Sequence, residues 1–358
     1  MNLTQFHVIN PHLGIGGVGK AVLSQLLHLR KSYPQIQLAL LASTRFTHYL
    51  AAQESSLFQI IDPSIPEAEK TTFATEENPA WSPSAILTYL KTLPSKTILI
   101  DNTSSPAVVA IYAAALSAGI SIVTPNKKAF SAPLQTWQPI ANAAFPTNPT
   151  GGFLYHESTV GAGLPIISTL RDLLATGDKI ESIEGVFSGT MSFLFNNFDP
   201  AGASPSSGPG AFSAEVTNAQ RLGYTEPDPR DDLDGGDVAR KLVILARLCG
   251  LDVEGIDAFP VESLIPEALR GEDMVTEVFL KRLREGDGEM GERRRRAGEK
   301  GRVLRYTGRI GVGTGEVRVG VGEFEKGTAI AGLKGADNVV AFTTERYKER
   351  PLVVQGAG

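Results

Sequence analysis

Residues 222 to 248 form the stretch that most constrains what this chain can fold into. They read Leu-Gly-Tyr-Thr-Glu-Pro-Asp-Pro-Arg-Asp-Asp-Leu-Asp-Gly-Gly-Asp-Val-Ala-Arg-Lys-Leu-Val-Ile-Leu-Ala-Arg-Leu. Val238, Leu242 and Leu245 recur at the spacing of one helical face, so this face is predicted to be buried. Asp237 and Lys241 are four residues apart on a neighbouring stripe, where an acid and an amine meet. The stretch therefore predicts an acid-rich loop followed by an amphipathic helix.

One interpretation of these acids is purely structural. Asp234 would be the N-cap of the helix and Asp237, three residues later, the acid of a capping box. The pair of Asp237 and Lys241 would then stabilise the helix by roughly 0.2–0.5 kcal/mol. A calcium-binding loop is excluded, because no glutamate follows Asp232, Asp234 and Gly235 at the spacing that such a loop requires.

The second interpretation is functional, and the sequence leaves both open. Pro227 and Pro229 stiffen the loop and aim Glu226, Asp231 and Asp232 at the start of the same helix. A cluster of carboxylates beside one lysine is suited to hold a substrate that carries an ammonium group. This interpretation predicts a small-molecule site at the helix start.

Composition limits the class of protein and its partners. At 358 residues, 42% of them hydrophobic and 20% charged, the chain is long enough for about two globular domains. A net charge of −5 does not indicate the excess of basic residues that is typical of nucleic-acid-binding proteins. No apolar run reaches the length of a membrane span, and the N-terminus has no signal or transit pattern. The one cysteine, Cys249, lies on the apolar helical face and is expected to be a packing thiol in a reducing compartment, so we expect a cytoplasmic protein.

A dinucleotide-binding motif opens the chain. A short apolar segment precedes it, a helical pattern follows from Lys20, and Leu38 to Ala42 predicts a second buried strand. The predicted cofactor-binding residues of the motif are Gly14, Ile15, Gly16, Gly17, Val18 and Gly19. Where an acid for the ribose hydroxyls of NAD is expected, the chain has Arg45, which favours NADP; a solvated Arg45 is the alternative, and NAD stays open.

Pro11 interrupts the segment before the motif, and proline cannot donate to a central strand. Either the first strand is shortened to about Phe6 to Ile9, or the first turn is altered. Further along, residues 97 to 101 predict a strand whose C-terminal end carries Asn102 and Thr103. These two residues are expected at the ligand edge of the sheet, as is Lys127 after a later strand.

Two domains are predicted, and a Pro, Asn and Gly cluster at residues 145 to 152 marks their boundary. Residues 1–150 form the dinucleotide-binding domain, and residues 151–339 form the catalytic and dimerisation domain. Residues 340–358 are expected to return to the first domain. The charged tract 284 to 302 is interpreted as a solvated loop, and the last part of the chain alternates like antiparallel strands. The predicted fold is α/β: an N-terminal Rossmann-type dinucleotide-binding domain with a second, α+β domain.

Five stretches taken together resemble homoserine dehydrogenase in its short, monofunctional fungal form. The resemblance covers nearly the whole chain. The stretches are Asp101-Asn-Thr-Ser-Ser, Thr124-Pro-Asn-Lys-Lys-Ala-Phe, His156-Glu-Ser-Thr-Val-Gly-Ala-Gly-Leu-Pro-Ile-Ile, Gly185-Val-Phe-Ser-Gly-Thr and Leu222-Gly-Tyr-Thr-Glu-Pro-Asp-Pro-Arg-Asp-Asp-Leu. That family reduces aspartate 4-semialdehyde to homoserine with NAD(P)H, on the way to threonine and methionine, and works as a homodimer joined through the second domain.

The resemblance implies a role for individual residues. Lys241 matches the catalytic lysine that relays the proton, and Asp237 a catalytic acid beside it. The substrate-binding positions that it implies are Thr190, Tyr224, Glu226, Asp232 and Lys127. Lys127 also matches a cofactor contact, as do Asn102 and Thr103. The turn whose oxygens bind a sodium ion matches Glu157, Val160, Ala162 and Leu164.

The chain departs from the family pattern at two places. Pro11 and His12 stand where the family has an unbroken apolar strand, and the family continues past the final Gln-Gly-Ala-Gly into a turn and a closing helix. One alternative is therefore a degenerate paralogue that folds and dimerises without turnover. Another is the semialdehyde dehydrogenase that makes the same intermediate, but that chemistry needs a nucleophilic cysteine, for which Cys249 is poorly placed.

Overall fold

The computed structural model describes residues 6–10, 17–33, 36–42, 47–49, 82–94, 96–202, 210–271 and 273–357. The chain divides into two compact units, Met1–Thr159 and Val160–Gly358. Each unit has its own β-sheet. The sheet of the first unit is mainly parallel, and that of the second is antiparallel.

Among the described residues of the first unit, the strands form a six-stranded sheet in the order β3-β2-β1-β4-β5-β6. Neighbouring strands are parallel, except that β3 runs antiparallel to β2. This order is that of a doubly wound dinucleotide-binding sheet. The strands are β1 (Phe6–Asn10), β2 (Ile36–Ala42), β3 (Thr47–Tyr49), β4 (Lys96–Ile100), β5 (Ser121–Val123) and β6 (Leu154–Tyr155).

Helices connect the parallel strands, because two parallel neighbours need a long crossover connection between them. Ser82 shows how local sequence starts one of them: its side chain accepts the N–H of Ala85, and Pro83 occupies the first helical position. The helices are α1 (Gly17–Ser32), α2 (Pro83–Thr92), α3 (Pro106–Val109), α4 (Tyr112–Ser117), α5 (Lys128–Ser131) and α6 (Leu134–Ala143), with a 3₁₀ helix at Glu157–Thr159.

The first strand is short, which confirms one of the two expectations for this segment. It ends at Asn10 and pairs with both β2 and β4. Its register against β2 shifts between Val8 and Ile9. Pro11 and His12 themselves lie outside the described residues.

The second unit is built on an antiparallel sheet in the order β11-β10-β7-β8-β9, counted over its described residues. Its strands are β7 (Ile180–Val186), β8 (Arg302–Gly311), β9 (Glu316–Glu325), β10 (Asp337–Thr344) and β11 (Leu352–Ala357). Its helices are α7 (Ile166–Ala175), α8 (Gly189–Phe198), α9 (Phe212–Arg221), α10 (Arg230–Leu233), α11 (Gly236–Leu248), α12 (Thr276–Arg282) and α13 (Asp287–Glu299), with 3₁₀ helices at Ile256–Ala258, Glu267–Leu269 and Leu283–Gly286.

Helix α11 packs directly on this sheet. Val238, Leu242 and Leu245 are buried, as their spacing predicts. Gly308 of β8 allows the close approach, because a Cβ there would lie only 2.7 Å from a methyl group of Leu242. The helix that carries Lys241 is therefore seated on the core of the second unit.

Two expectations for the C-terminal part are wrong. Residues 340–357 do not return to the first domain, since β10 pairs with β7 and β11 pairs with β10. The apolar pattern of Val339, Val340 and Phe342 predicts a buried strand, but it does not specify which sheet the strand joins. The tract at 284–302 is mostly helical rather than a loop, because its glutamates and arginines pair one helical turn apart and Met290 and Ala297 are buried.

The predicted fold class is confirmed: a parallel, nucleotide-type sheet is followed by an α+β unit. Across the described ranges, none of the helices combines the length and the apolar character that crossing a bilayer would need.

Candidate active site

The loop between α9 and α11 gathers four of the predicted substrate-binding residues. The carboxylate of Asp232 accepts the main-chain N–H of Glu226 at 2.8 Å. The hydroxyl of Thr190, on α8, donates to the main-chain carbonyl oxygen of Tyr224 at 2.7 Å. The ring of Tyr224 stacks on Phe193, with ring centroids 4.2 Å apart. The structure thus brings Thr190, Tyr224, Glu226 and Asp232 together.

Lys241 and Asp237 form an ion pair on the adjoining helix α11. The Nζ of Lys241 lies 2.8 Å from the Asp237 carboxylate and donates to the main-chain carbonyl oxygen of Phe187 at 2.6 Å. The side chain of Lys241 is only 12% exposed, against 41% for Asp237. Since Phe187 directly follows β7, the ammonium is held against the end of the sheet as well as on its own helix.

Asp232 shares an electrostatic environment with the other acids. Burial raises the pKa of Asp232, the hydrogen bond from the N–H of Glu226 opposes the rise, and the charges of Glu226 and Asp237 add to it. Three carboxylates therefore lie within electrostatic reach of one another. A cation bound among them would relieve both the burial penalty and the repulsion.

The start of α11 corrects the capping-box interpretation. Gly235, with φ 78°, is the N-cap, and as a glycine it has no side chain with which to cap the helix. Asp234 instead ends α10 in a helical conformation and accepts the N–H of Gly236 at 2.7 Å. A glycine is needed at this position for two reasons: a Cβ would overlap the hydroxyl of Tyr306, and the backbone is in the left-handed region. The ion pair of the structural interpretation is present, but its capping box is not.

A second cluster lies at the carboxyl end of β4 and β5 in the first unit. Asp101 is fully buried and accepts the hydroxyl of Tyr112 at 2.5 Å, the side-chain amide of Asn126 at 3.2 Å and the N–H of Thr103 at 2.8 Å. The hydroxyl of Thr124 donates to the main-chain carbonyl oxygen of Asp101 at 2.7 Å. The buried carboxylate thereby ties two strand ends together at the edge where ligands bind in such sheets.

The predicted cofactor contacts Asn102 and Thr103 follow directly. The side-chain nitrogen of Asn102 is buried and has no hydrogen-bond partner among the described residues, as expected for a donor that a ligand would satisfy. Thr103 accepts the N–H of Ser105, which occupies the N-cap position of α3 without capping it through its side chain. Lys127 stands at the N-cap position of α5, just after Asn126.

The glycine motif is only partly within the described residues. Gly14, Ile15 and Gly16 lie outside them, as does Arg45. Gly17, Val18 and Gly19 form the first turn of α1, which follows β1 in the chain. A helix N-terminus after the central strand is the arrangement that holds a dinucleotide pyrophosphate.

The predicted sodium-binding residues fall on both sides of the division between the units. Glu157 lies in the 3₁₀ helix at the end of the first unit, whereas Val160, Ala162 and Leu164 begin the second. Ala162 has φ 49°, a conformation unusual for a residue with a side chain. The described part of the chain holds no group of three His, Cys, Asp or Glu residues placed for a metal ion.

Some residues that shape the site were not foreseen. The carbonyl oxygen of Phe187 accepts from Lys241, although the two residues are 54 positions apart. The hydrogen bonds of Asp101 with Tyr112 and Thr103 hold the carboxyl end of β4 in place. The sequence feature that could have indicated this role is an acid at the C-terminal end of a predicted buried strand. Arg230 bonds both the carboxylate of Asp228 and the main-chain carbonyl oxygen of Met274. The sequence feature that could have indicated this role is a single arginine among several acids.

Cys249 does not fit the role of a catalytic nucleophile. It ends helix α11 as its C-cap and is partly buried. Burial raises the pKa of its thiol to about 12, whereas a nucleophilic cysteine needs a lowered pKa. The alternative of a cysteine-dependent semialdehyde dehydrogenase is therefore not supported by this thiol.

Two family models match most of the chain. The model described as "Homoserine dehydrogenase" matches residues 165–358, and "Homoserine dehydrogenase, NAD binding domain" matches residues 14–149. The chain belongs to the homoserine dehydrogenase family. The resemblance in the sequence motifs is thereby confirmed, and the first unit carries an NAD-binding domain.

Fungal homoserine dehydrogenases are close relatives over nearly the full length. The chain is 48% identical to the homoserine dehydrogenase of Paracoccidioides brasiliensis over 97% of its own residues and 91% of the relative's. It is 43% identical to that of Saccharomyces cerevisiae over the same shares of the two chains. The short fungal type of homoserine dehydrogenase therefore fits.

Solved structures show the same fold. A crystal structure of a Candida auris protein of unknown function has a TM-score of 0.84 at 38% identity, covering 98% of this chain and 92% of that chain. A hyperthermophilic archaeal homoserine dehydrogenase in complex with NADPH has a TM-score of 0.67 at 19% identity, covering 99% and 91%. At that identity the archaeal likeness supports the fold alone.

Proposed function

We propose that this protein reduces L-aspartate 4-semialdehyde to L-homoserine with NAD(P)H, as an oxidoreductase acting on a CH–OH group in amino-acid biosynthesis. The observation that carries the proposal is the ammonium of Lys241, which lies between the carboxylate of Asp237 and the carbonyl oxygen of Phe187. The acids Glu226 and Asp232 lie on the loop that leads into the same helix.

The reaction needs a binding group for the substrate and a proton for the oxygen that becomes an alkoxide. Glu226 and Asp232 bind the substrate's ammonium, and Thr190 and Tyr224 hold the loop that carries them. Lys241 gives a proton to the aldehyde oxygen, and Asp237 keeps the lysine charged and oriented. NAD(P)H supplies the hydride when bound.

The residues of the first unit fit a nicotinamide dinucleotide. The buried side-chain nitrogen of Asn102 is a donor that is unsatisfied among the described residues, and Thr103 lies beside it at the carboxyl end of β4. We assign the motif from Gly14 to Gly19 to the pyrophosphate, and Lys127 to the nicotinamide and the substrate. Arg45 is proposed to hold the 2′-phosphate of NADP. Unchanged preference between NADPH and NADH in Arg45→Ala would remove that role.

A sodium ion at Glu157, Val160, Ala162 and Leu164 remains a proposal. Support comes from the oxygen ligands, which hard cations prefer, and from the turn that Ala162 makes at φ 49°. Comparing thermal stability and rate in sodium and in choline salts tests it. Equal values in both salts would argue against the ion.

A homodimer and a cytoplasmic location complete the proposal. The resemblance supports the dimer, which sedimentation equilibrium tests directly. A single cysteine suits a reducing compartment, and fluorescence microscopy of a tagged chain tests the location.

The absorbance of NAD(P)H tests the reaction. Purified protein with aspartate 4-semialdehyde should oxidise NADPH or NADH, and the reverse reaction should consume homoserine. A folded protein that oxidises neither cofactor would favour the degenerate alternative, which neither of the two fungal relatives supports.

A further inference from the structure

Arg230 connects the acid-rich loop to a distant part of the second unit. Its Nη2 lies 2.5 Å from Oδ2 of Asp228, and its Nε lies 3.0 Å from Oδ1, so the guanidinium engages both carboxylate oxygens. Nη2 also donates to the main-chain carbonyl oxygen of Met274 at 2.9 Å. The guanidinium carbon lies 5.3 Å from the centroid of the fully buried Phe279 ring. One side chain therefore makes an ion pair, a main-chain contact and a cation–π contact.

Asp228 completes this junction, which we call the loop clamp (Asp228, Arg230, Met274, Thr276 and Phe279). Asp228 accepts the main-chain N–H of Arg230 at 3.0 Å and the hydroxyl of Thr276, the first residue of α12, at 3.3 Å. The side chains of Arg230 and Asp228 are 25% and 29% exposed. The hydrogen bond from Arg230 lowers the pKa of Asp228, so the carboxylate stays ionised further into the acidic range than an ordinary aspartate. A charged, bidentate and partly buried pair holds its geometry better than an exposed ion pair.

The loop clamp supports the substrate-binding acids Glu226 and Asp232 more than it supports Lys241. Asp228 lies between Glu226 and Asp232 in the chain, and these two acids are joined by the hydrogen bond from the N–H of Glu226. Lys241, by contrast, is anchored by Asp237 on its own helix and by Phe187. Loosening the loop clamp should therefore displace the substrate-binding acids and leave the lysine in place.

We propose that Arg230 and Asp228 are positioning residues that hold Glu226 and Asp232 in the geometry that binds the substrate's ammonium. They set the affinity for the substrate and not the rate of proton transfer. The inference rests on the function proposed above for the two acids. Neither residue needs to touch the substrate.

Steady-state kinetics with Arg230→Met test the inference. We expect KM for aspartate 4-semialdehyde to rise about tenfold, which corresponds to about 1.4 kcal/mol of binding free energy. The turnover number should stay within about twofold, and KM for NADPH should not change, because the interaction lost is one of binding rather than of the chemical step. Arg230→Lys keeps the positive charge but loses the bidentate guanidinium contact with Asp228, so its substrate KM should lie between those of the wild type and Arg230→Met.

Arg295→Met is the matched control. Arg295 also pairs with carboxylates, those of Glu292 and Glu299, but it lies on α13 and its ion pairs are within that helix. Its replacement should leave both KM values unchanged. In a double-mutant cycle, Asp228→Asn combined with Arg230→Met should raise KM no further than the larger single change, because the two residues act as one unit.

The outcomes separate this inference from the proposed function. If the wild-type protein does not oxidise NADPH, the proposed function fails. If the wild type is active and the substrate KM of Arg230→Met is unchanged while its melting temperature falls, Arg230 is only structural and the inference is overturned. Should Arg230→Met fail to fold, the KM of Arg230→Lys decides by the same criterion.

Discussion

The ammonium of Lys241 lies 2.8 Å from the carboxylate of Asp237, one helical turn earlier on α11. An exposed pair at this spacing would do little more than support a helix. Here the lysine is mostly buried and also donates to the end of β7, so its charge is fixed in one place. A proton donor needs such a fixed position, because it must meet the developing alkoxide in one geometry.

Gly235 should be essential to the start of this helix. In Gly235→Ala, the new Cβ would overlap the hydroxyl of Tyr306, and the alanine would also have to adopt φ 78°. We expect a loss of about 3 kcal/mol or more in the free energy of unfolding, from overpacking and backbone strain together. Urea denaturation measures this loss.

Gly223→Ala is the control, since Gly223 has the same φ but no atom within 4 Å of the place that a Cβ would occupy. This variant should lose only about 1 kcal/mol in the free energy of unfolding. Equal losses in the two variants would contradict the clash.

The ionised carboxylate of Asp232 should lower the stability of the protein at neutral pH, although the same carboxylate is proposed to bind the substrate. Its pKa is raised in the folded protein, mainly by burial, so its contribution to stability is fully present below the unfolded pKa of about 3.9 and is lost as the pH rises through the folded pKa. We expect Asp232→Asn to be more stable than the wild type at neutral pH by about 0.5–2 kcal/mol, with weaker substrate binding. The gain should vanish below about pH 4. Asp231→Asn, at the exposed neighbouring position, is the control and should not gain stability at neutral pH. A gain for Asp232→Asn that is constant with pH would contradict the account.

Tyr112 should link stability to cofactor binding. Tyr112→Phe removes the hydroxyl that donates to the buried Asp101 carboxylate at 2.5 Å. We expect a loss of about 1–3 kcal/mol in stability, because a buried acceptor loses a partner. Weaker NADPH binding should accompany it, since Asp101 also holds the main chain at Thr103. Fluorescence titration measures the affinity, and Tyr155→Phe at an exposed position is the control. Unchanged stability and affinity in Tyr112→Phe would refute the link.

The sequence predicts those features that depend on local periodicity. The spacing of Val238, Leu242 and Leu245 identifies the buried face of α11, and the spacing of Asp237 and Lys241 identifies their ion pair. Pro11 left two alternatives, a shortened first strand or an altered first turn, and the strand is indeed short, since it ends at Asn10.

Features that depend on distant contacts could not be predicted in this way. Nothing near Asp234 in the sequence indicates that position 235 must be a glycine, because the atom that a Cβ there would meet is the hydroxyl of Tyr306 on β8. The partner of Lys241 at Phe187 and the pairing of β10 with β7 likewise join segments that are far apart in the chain. Periodicity gives the type of an element and its buried face, but tertiary packing chooses its neighbour.

The turnover number of Lys241→Ala tests the central claim most directly. If Lys241 supplies the proton, turnover should fall by roughly 10²–10⁴-fold while the fold survives, as judged by circular dichroism. Asp237→Ala should also lose turnover, and the two losses should not add in the double variant, because residues that act as one catalytic unit fail together. If the pair is only structural, Lys241→Ala would lose about 1–3 kcal/mol in stability, because a mostly buried ammonium and its hydrogen bond to Phe187 are removed, and it would keep nearly full turnover; that result would contradict the account.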